Sequence, residues 1–370
     1  MRKHLWAIGF SVVLAGFTTY AALDTFVIPR VGETGATAMD TSMILSPGNE
    51  AAPAEQEETQ RITRDPDAEE GREHTSHATE PAGETVPGHG KKRKNREQGA
   101  RESAAGNSTE QAMEDASGQS PAEAPARTGE AEQIGSYTDE NAGITLSRYT
   151  VSETQVYVAD VTLSSVAYLK TAFAGDSYGR NITGKTSEIA GAHQAVLAIN
   201  GDFYGARETG YVIRNGVVYR DTPGEADVLC ICGDGSFAIA DPEEISADAL
   251  RERGVWQALS FGPVLLEDGD VAVQEGDEVG RSMASNPRTA IGIIDDLHYV
   301  FVVSDGRTEE SEGLSLRELA RFMADLGVRT AYNLDGGGSS AMVFQGEVVN
   351  KPTTNGRIRE RSVSDIVYIG

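Results

Sequence analysis

The residues best suited to chemistry form the stretch Asn-Leu-Asp-Gly-Gly-Gly-Ser-Ser at residues 333–340. A short apolar run ends here in the carboxylate of Asp335, followed by three glycines and two serines. Glycines let backbone N–H groups approach a bound anion closely, and they also form ordinary tight turns between strands. The stretch therefore indicates either an anion-binding loop beside a reactive carboxylate or a plain turn, and Asp335 could equally ligate a structural cation.

Three further loops place polar side chains next to an apolar run. They contain Asn200 with Asp202, Arg288, and Asp305 with Arg307. Each loop alone is weak evidence, because Asn and Asp are common turn residues and an arginine can be a buried ion-pair partner. Together with Asp335 the loops supply three carboxylates and two guanidinium groups. Paired carboxylates cleave glycosidic bonds, and arginine binds phosphate or carboxylate oxygens in bidentate fashion.

Five motifs, in matching order, resemble the phosphodiester glycosidase family, which includes bacterial proteins related to exopolysaccharide biosynthesis. They are Asn-Gly-Asp-Phe-Tyr at 200–204, Phe-Gly-Pro at 261–263, Asn-Pro-Arg-Thr-Ala-Ile-Gly at 286–292, Asp-Gly-Arg at 305–307 and the stretch at 333–340. The resemblance covers residues 195–369, and it does not extend to the N-terminal third of the chain.

The resemblance implies hydrolysis of a sugar joined through its anomeric carbon to a phosphodiester, as in N-acetylglucosamine-1-phosphodiester. Asp335 and Asp202 are then expected nearest the anomeric carbon, while Asp305 orients an arginine or joins the catalytic pair. The leaving phosphate is weakly basic, so neutralising the charge on its oxygens matters more than protonating it. The expected substrate-binding residues are Asn200, Arg288, Arg307, Asn333, Gly336, Gly337, Gly338, Ser339 and Ser340.

Several other kinds of site are excluded or disfavoured. A P-loop needs a lysine after its glycines, and Ser339 lacks the Gly-x-Ser-x-Gly setting of a hydrolase nucleophile. Cys230 and Cys232 are the two cysteines of the chain and have no Cys/His cluster nearby, so a zinc site is disfavoured. Two buried thiols are expected, with a strained disulfide as the alternative. The sequence assigns no cofactor and leaves a divalent cation open.

The elements that position these loops are mostly strands. Asn215 and Gly216 between β-rich arms predict a hairpin with a type I′ turn, and Ser315 with Glu318 predicts a capping box at a helix start. Shorter helices are predicted at 187–193 and 245–253. The main predicted strands are residues 155–163, 195–199, 211–214, 217–219, 237–239, 259–266, 290–294, 298–303, 328–334, 341–344, 347–349 and 362–369. Because helices do not alternate with strands, we expect one α+β domain over residues 135–370.

The first part of the chain has a different character. Arg2 and Lys3 precede an apolar run over residues 5–23, which predicts a membrane-spanning anchor within residues 1–28 and an extracytoplasmic C-terminal domain. The alternative is a signal peptide cleaved near residues 20–22 and a secreted protein. Residues 29–134 have few apolar side chains and predict a disordered acidic linker, whose basic run at 91–96 is solvated or contacts an anionic wall polymer.

The overall charge narrows the list of partners. A net charge of −25 argues against nucleic-acid binding, which relies on clustered Lys and Arg. The expected partners are a sugar-phosphodiester or polysaccharide substrate and, through the N-terminal helix, a membrane. The alternative functions are a non-catalytic polysaccharide-binding module that uses Tyr204 and Tyr211, or a structural matrix protein.

Overall fold

The computed structural model describes residues 5–26, 29–31, 61–62, 130–273 and 285–370. Most of the predicted linker at 29–134, including its basic run at 91–96, lies outside these ranges. Within that segment the structure describes two short strands, β1 (Arg30–Val31) and β2 (Arg61–Ile62). Strand β3 (Glu132–Thr138) then opens the domain, slightly before the predicted boundary at residue 135.

The remaining elements follow in chain order. The strands are β4 (Ala142–Val151), β5 (Thr154–Leu163), β6 (Leu169–Phe173), β7 (Gly179–Arg180), β8 (Leu197–Asn200), β9 (Val212–Arg214), β10 (Val217–Arg220), β11 (Val228–Cys232), β12 (Phe237–Ala240), β13 (Val255–Leu259), β14 (Val264–Glu267), β15 (Asp270–Val271), β16 (Arg288–Asp295), β17 (His298–Ser304), β18 (Thr330–Asn333), β19 (Met342–Phe344), β20 (Glu347–Val348), β21 (Thr353–Thr354), β22 (Arg357–Ile358) and β23 (Asp365–Ile369). The described helices are α1 (Leu5–Phe26), α2 (Thr186–Ala192), α3 (Ala247–Glu252) and α4 (Leu316–Asp325).

Three larger sheets carry the fold. Their strand orders are β15-β14-β18-β16-β17-β5-β4-β3, β10-β9-β13-β11-β12-β2 and β20-β19-β8-β23-β6. Neighbouring strands in them run antiparallel, except β2, which lies parallel to β12. The strand-rich α+β domain predicted from the sequence is thereby confirmed.

The three sheets enclose a common hydrophobic core. Successive side chains of a strand point to opposite faces, so each buried strand serves two layers. In β17, Tyr299, Phe301 and Val303 face the common core, whereas Val300 and Val302 face outward against the layer that contains α4. The sheets with β8 and β11 follow the same plan, with α2 and α3 on their outer faces. Each large sheet is therefore sealed by one helix.

Local signals in the sequence predicted the turns and caps correctly. Asn215 and Gly216 both have positive φ, as a type I′ turn between β9 and β10 requires. Ser315 and Glu318 form the predicted capping box. The single strand predicted over 259–266 is instead two strands, β13 and β14. Its interruption contains Gly262, whose positive φ is not an extended conformation, and Pro263, which has no N–H for a ladder.

The two cysteines are unpaired, and a helix lies near the start of the chain. Cys230 and Cys232 are free thiols, the first buried and the second half-buried, so the preferred prediction is confirmed. A helix forms at the start of the chain as α1, within the predicted 1–28 segment. None of the helices in the described ranges is long and apolar enough to cross a membrane, so the predicted span is not supported.

Candidate active site

Two sheets meet where β8 ends at Asn200 and β18 ends at Asn333. The buried Asn200 side chain donates from Nδ2 to the carbonyl of Asp335 at 2.6 Å, and its Oδ1 accepts from Thr289 Oγ1 at 2.8 Å. The backbone N–H of Leu334 donates to the carbonyl of Thr289 at 2.9 Å. Asn200 therefore holds the Asp335 loop in place, and its amide faces the protein instead of solvent.

Asp335 is a largely buried carboxylate with a cation beside it. Its side chain is 12% exposed, and Oδ2 accepts a hydrogen bond from Arg361 Nη2 at 2.9 Å. The Nε of Arg361 also donates to Ser339 Oγ, at 2.9 Å. Burial raises the pKa of Asp335, while the charges of Arg361 and Arg207 and the hydrogen bond from Ser339 oppose that shift. The structure thus joins predicted residues Asp335 and Ser339 to two arginines that the sequence motifs did not single out.

The three glycines of the loop allow close approach of neighbouring groups. A Cβ on Gly337 would lie 2.9 Å from Arg307 Nη2, and one on Gly336 would lie 2.9 Å from the carbonyl oxygen of Pro287. A Cβ on Gly338 would lie 2.7 Å from Thr354 Oγ1. The N–H of Gly337 is already used, because it donates to the carbonyl of Pro287 at 2.8 Å. That amide is therefore not presented to a ligand.

Arg307 remains at the surface of the loop, next to Gly337. Its Nε and Nη2 donate to Asn286 Oδ1 at 3.1 and 2.9 Å, and its side chain is exposed. This placement keeps the guanidinium accessible at the rim. Its contact with a substrate phosphate stays a prediction.

Asp202 occupies a buried ion-pair triad. Arg214 Nη2 donates to Asp202 Oδ1 at 2.8 Å and to Asp365 Oδ2 at 2.9 Å, and all three side chains are at most 2% exposed. The other oxygen of Asp202 accepts from the N–H of Ser260 at 2.8 Å. Both carboxylate oxygens of Asp202 are therefore engaged inside the protein, and its predicted contact with the anomeric carbon stays a prediction.

Asp305 is also turned inward. Its Oδ1 accepts from the N–H of Lys351 at 2.7 Å and from Asn350 Nδ2 at 3.3 Å, and burial raises its pKa. Asn350 Nδ2 also donates to the carbonyl of Ser340 at 3.0 Å. Asp305 therefore supports the far end of the loop through Asn350, and none of these contacts brings it against the carboxylate of Asp335.

The other predicted binding residues are buried supports. Arg288 is 5% exposed and donates from Nε to the carbonyl of Leu314 at 2.8 Å. Asn333 is 4% exposed and donates to the carbonyl of Gly262 at 2.7 Å, and Ser340 is fully buried. These side chains hold the ends of β16 and β18 and so support the loop that carries Asp335 and Ser339.

Tyr204 and Tyr211, the tyrosines on which the binding-module alternative depends, are each 2% exposed. Tyr211 donates its hydroxyl to the carbonyls of Pro242 and Ile245 at 2.9 and 2.8 Å. Neither ring offers an open face for stacking on a polysaccharide. Within the described ranges, no group of three or more His, Cys, Asp or Glu side chains is placed to hold a metal ion.

The sequence profile of the phosphodiester glycosidase family matches residues 193–370, which include every loop described above. Over these residues the chain is similar to phosphodiester glycosidases. The SPbeta prophage-derived uncharacterized protein YomE of Bacillus subtilis is 29% identical over 49% of this chain and 29% of its own length. Human N-acetylglucosamine-1-phosphodiester alpha-N-acetylglucosaminidase is 27% identical over 46% of this chain and 28% of its own length.

A solved structure supports the fold. The zebrafish N-acetylglucosamine-1-phosphodiester alpha-N-acetylglucosaminidase catalytic domain, auto-inhibited by its pro-peptide, superposes with a TM-score of 0.50 at 21% identity. The superposition covers 66% of this chain and 88% of that one. The curated relatives are longer proteins, since the matched region spans about three-tenths of their length or less.

Residues that were not among the predicted site residues complete the rim of the candidate site. Phe203 has a positive φ of 64° and is 37% exposed, with the guanidinium of Arg361 5.9 Å from its ring centroid. Arg207 lies 4.7 Å from the ring centroid of Phe261. A large exposed aromatic in a left-handed conformation is unusual and points to function. Phe203 lies inside the first motif, whereas Arg361 lies in a charged stretch with no recognisable pattern.

Proposed function

We propose that this domain hydrolyses the glycosidic bond of a sugar-1-phosphodiester of the N-acetylglucosamine-1-phosphodiester type. Relatives that bear the name N-acetylglucosamine-1-phosphodiester alpha-N-acetylglucosaminidase support the reaction class. The observation that carries the proposal is Asp335, a largely buried carboxylate held by Arg361 and Ser339 on a glycine loop. Phe203 and Phe261 at the rim supply apolar faces suited to a sugar ring.

In this proposal Asp335 acts at the anomeric carbon, while Arg361 and Arg207 neutralise the phosphate oxygens. The positive charge that opposes the raised pKa of Asp335 comes from these same two arginines. Of the three carboxylates predicted to be catalytic, Asp335 has the exposure and surroundings for this role. A single carboxylate is sufficient here because the leaving phosphate is weakly basic and needs stabilisation of its charge more than a proton. Asp202 and Asp305 are assigned positioning roles.

The leading test incubates the full chain with a panel of sugar-1-phosphodiesters, with and without divalent cations, and measures the free sugar. We expect release from at least one member. Asp335→Asn should lower kcat by about a thousandfold, because a neutral amide cannot replace the carboxylate at a developing positive centre. Asp160→Asn is the matched control, since Asp160 is a half-exposed carboxylate paired with His298.

Two results would count against the proposal. A folded protein that releases sugar from no panel member would contradict the hydrolase assignment. Full turnover by Asp335→Asn, with circular dichroism unchanged, would contradict the role of Asp335 while leaving the reaction class in place.

We further propose that the substrate belongs to a cell-surface polysaccharide or glycolipid and that the domain acts outside the cytoplasm. The support is the sequence of Arg2 and Lys3 followed by the apolar helix α1, which resembles an export signal. Cell fractionation with an antibody to the domain tests this. Recovery of the protein in the cytoplasmic fraction alone would contradict it.

A further inference from the structure

A cleft of about 260 Å³ opens beside the candidate active site. Its charged and aromatic lining residues are Tyr178, Arg180, Tyr204, Arg207, Glu208 and Arg220. Arg207 belongs to both places, because it lines this cleft and its charge also opposes the raised pKa of Asp335. We call this space the arginine cleft. Arg207 is the residue that the cleft and the candidate site share. The other charged and aromatic lining residues, except Tyr204, lie outside the five sequence motifs.

The arginine cleft is net positive, although the chain carries a net charge of −25. Three arginines face one glutamate, Glu208, which forms an ion pair with Arg180 and is itself 75% exposed. The Nε of Arg180 is buried and has no hydrogen-bond partner among the described residues. A buried guanidinium N–H without a hydrogen-bond partner is energetically unfavourable unless a ligand or water accepts its hydrogen bond.

The other two arginines are held by backbone carbonyls. Arg220 donates from Nε to Gly210 at 2.6 Å and from Nη1 to Tyr204 and Arg207 at 3.1 and 2.7 Å. Arg207 donates from Nη1 to the carbonyl of Ser260 at 3.3 Å. No ion pair to either guanidinium occurs within the described part of the chain. Burial lowers the pKa of Arg220, which shows that this cation is partly desolvated and that a facing anion would stabilise it.

The wall behind these arginines is rigid. The ring of Tyr178 stacks on that of Tyr204, with centroids 5.3 Å apart and an interplanar angle of 15°. Behind them the rings of Phe173 and Tyr219 pack edge-on against each other, with centroids 4.8 Å apart. The guanidinium groups are thus preorganised, so little conformational entropy is lost in ordering them when an anion binds in the cleft. The volume exceeds the roughly 30 Å³ that one water molecule occupies in the liquid by several times, which leaves room for a phosphate and its linking atoms.

We propose that the arginine cleft binds a phosphate group carried on the aglycone of the substrate. The inference rests on the proposed function and deepens it. In the proposed function the scissile phosphodiester binds at Asp335, which Arg361 and Ser339 flank. Arg180 and Arg220 line the arginine cleft together with Arg207. The domain therefore prefers sugar phosphodiesters whose aglycone bears a second phosphate, as in a glycosyl-phosphate polymer or a phosphorylated polyol.

A binding measurement tests the cleft without relying on turnover. Inorganic phosphate is titrated into the full chain by calorimetry, together with Arg180→Gln and Glu208→Gln. We expect Arg180→Gln to weaken phosphate binding at least fivefold and Glu208→Gln to tighten it, because the second change removes the facing negative charge. Arg329→Gln is the control, since Arg329 is a half-exposed arginine near Asp295 on a different hairpin.

The proposal is overturned if Arg180→Gln binds phosphate as tightly as the unmodified chain, or if Glu208→Gln binds it more weakly. Both side chains are partly exposed, so neither substitution removes core packing. Circular dichroism and urea unfolding confirm that each variant is folded before it is titrated.

A kinetic measurement tests the selectivity. Two substrates share the same sugar phosphodiester and differ in the aglycone, which is methyl in one and glycerol phosphate in the other. The ratio of their kcat/KM values should favour glycerol phosphate and should fall about tenfold in Arg180→Gln. An unchanged ratio overturns the selectivity. Failure of the proposed function is distinguishable, because neither substrate would then release sugar while the calorimetric difference between the variants would persist.

Discussion

Two arginine–aspartate pairs with nearly equal distances should respond very differently to loss of the arginine. Arg214 lies 2.8 Å from Asp202 and Arg361 lies 2.9 Å from Asp335. The side chains of the first pair are 2% and 1% exposed, whereas those of the second are 42% and 12% exposed. We compare Arg214→Met with Arg361→Met, because methionine keeps an unbranched apolar stem and removes the charge.

Arg214→Met leaves two buried carboxylates, Asp202 and Asp365, without their cation. It also removes the hydrogen bonds that Arg214 Nη1 donates to the carbonyls of Ala258 and Ile213. Breaking a buried pair in this way costs about 3–5 kcal/mol of unfolding free energy. For a domain of this size each kcal/mol lowers Tm by roughly 2–4 °C, so a decrease of about 6–20 °C is expected.

Arg361→Met should behave as a site mutation. Pairs with exposed arginines contribute about 0–1 kcal/mol, so the unfolding free energy should change by no more than that. Turnover of a sugar-1-phosphodiester should fall at least tenfold. The pKa of Asp335 should rise further, which moves the acidic limb of the kcat/KM profile to higher pH, since Arg361 is the largest influence opposing its burial.

Urea unfolding followed by far-ultraviolet circular dichroism gives the stabilities, and release of free sugar gives the activities. Equal destabilisation by Arg361→Met and Arg214→Met would contradict the distinction between a structural and a functional ion pair. That distinction is also refuted if Arg214→Met unfolds at the same urea concentration as the unmodified protein. Either result would mean that burial does not separate the structural pair from the functional one.

Three further predictions concern pH, thiols and a helix cap. Burial raises the pKa of Asp365 to about 7, so the folded state holds a proton that the unfolded state releases near pH 4. Unfolding free energy should therefore fall as pH rises from 4 to 7, by up to about 4 kcal/mol in urea titrations because each pKa unit is worth about 1.4 kcal/mol, and Asp365→Asn should flatten that change. Burial also raises the pKa of Cys232 to about 11 and that of Cys230 well above its ordinary value. A thiol reagent at pH 8 should thus label the native protein about a hundredfold more slowly than the urea-unfolded protein, and rapid native labelling would contradict the burial. Ser315→Ala should remove the capping box of α4 and cost about 1 kcal/mol in urea unfolding, whereas an unchanged midpoint would mean the cap is dispensable.

Local features of the fold were predictable because their determinants lie within a few residues of one another. The turn at Asn215 and Gly216 depends on two adjacent residues that tolerate positive φ. The start of α4 depends on Ser315 and Glu318, three positions apart. The segment around Gly262 and Pro263 shows where such local prediction fails, because the apolar run predicted as one strand is two strands separated by residues 260–263, which are not in a strand.

For the candidate site, too, some features were predictable from local sequence and others were not. The sequence was sufficient to predict that Asp335 follows a strand and opens a glycine loop, and its five motifs resemble those of phosphodiester glycosidases, in agreement with the matching family profile. The sequence could not show that Asp335 is the least buried of the three aspartates. Asp202 pairs with Arg214, which also pairs with Asp365, 151 positions further along the chain. Asp335 pairs with Arg361, 26 positions away.

These pairings became visible in the folded domain, where β7, β10 and the segment after β8 also come together to form the arginine cleft. The physical reason is that burial and ion pairing depend on which chain segments the sheets bring together. The sequence specifies which ionisable side chains are present, but the burial and the neighbouring charges that set their pKa values and reactivity arise from long-range packing.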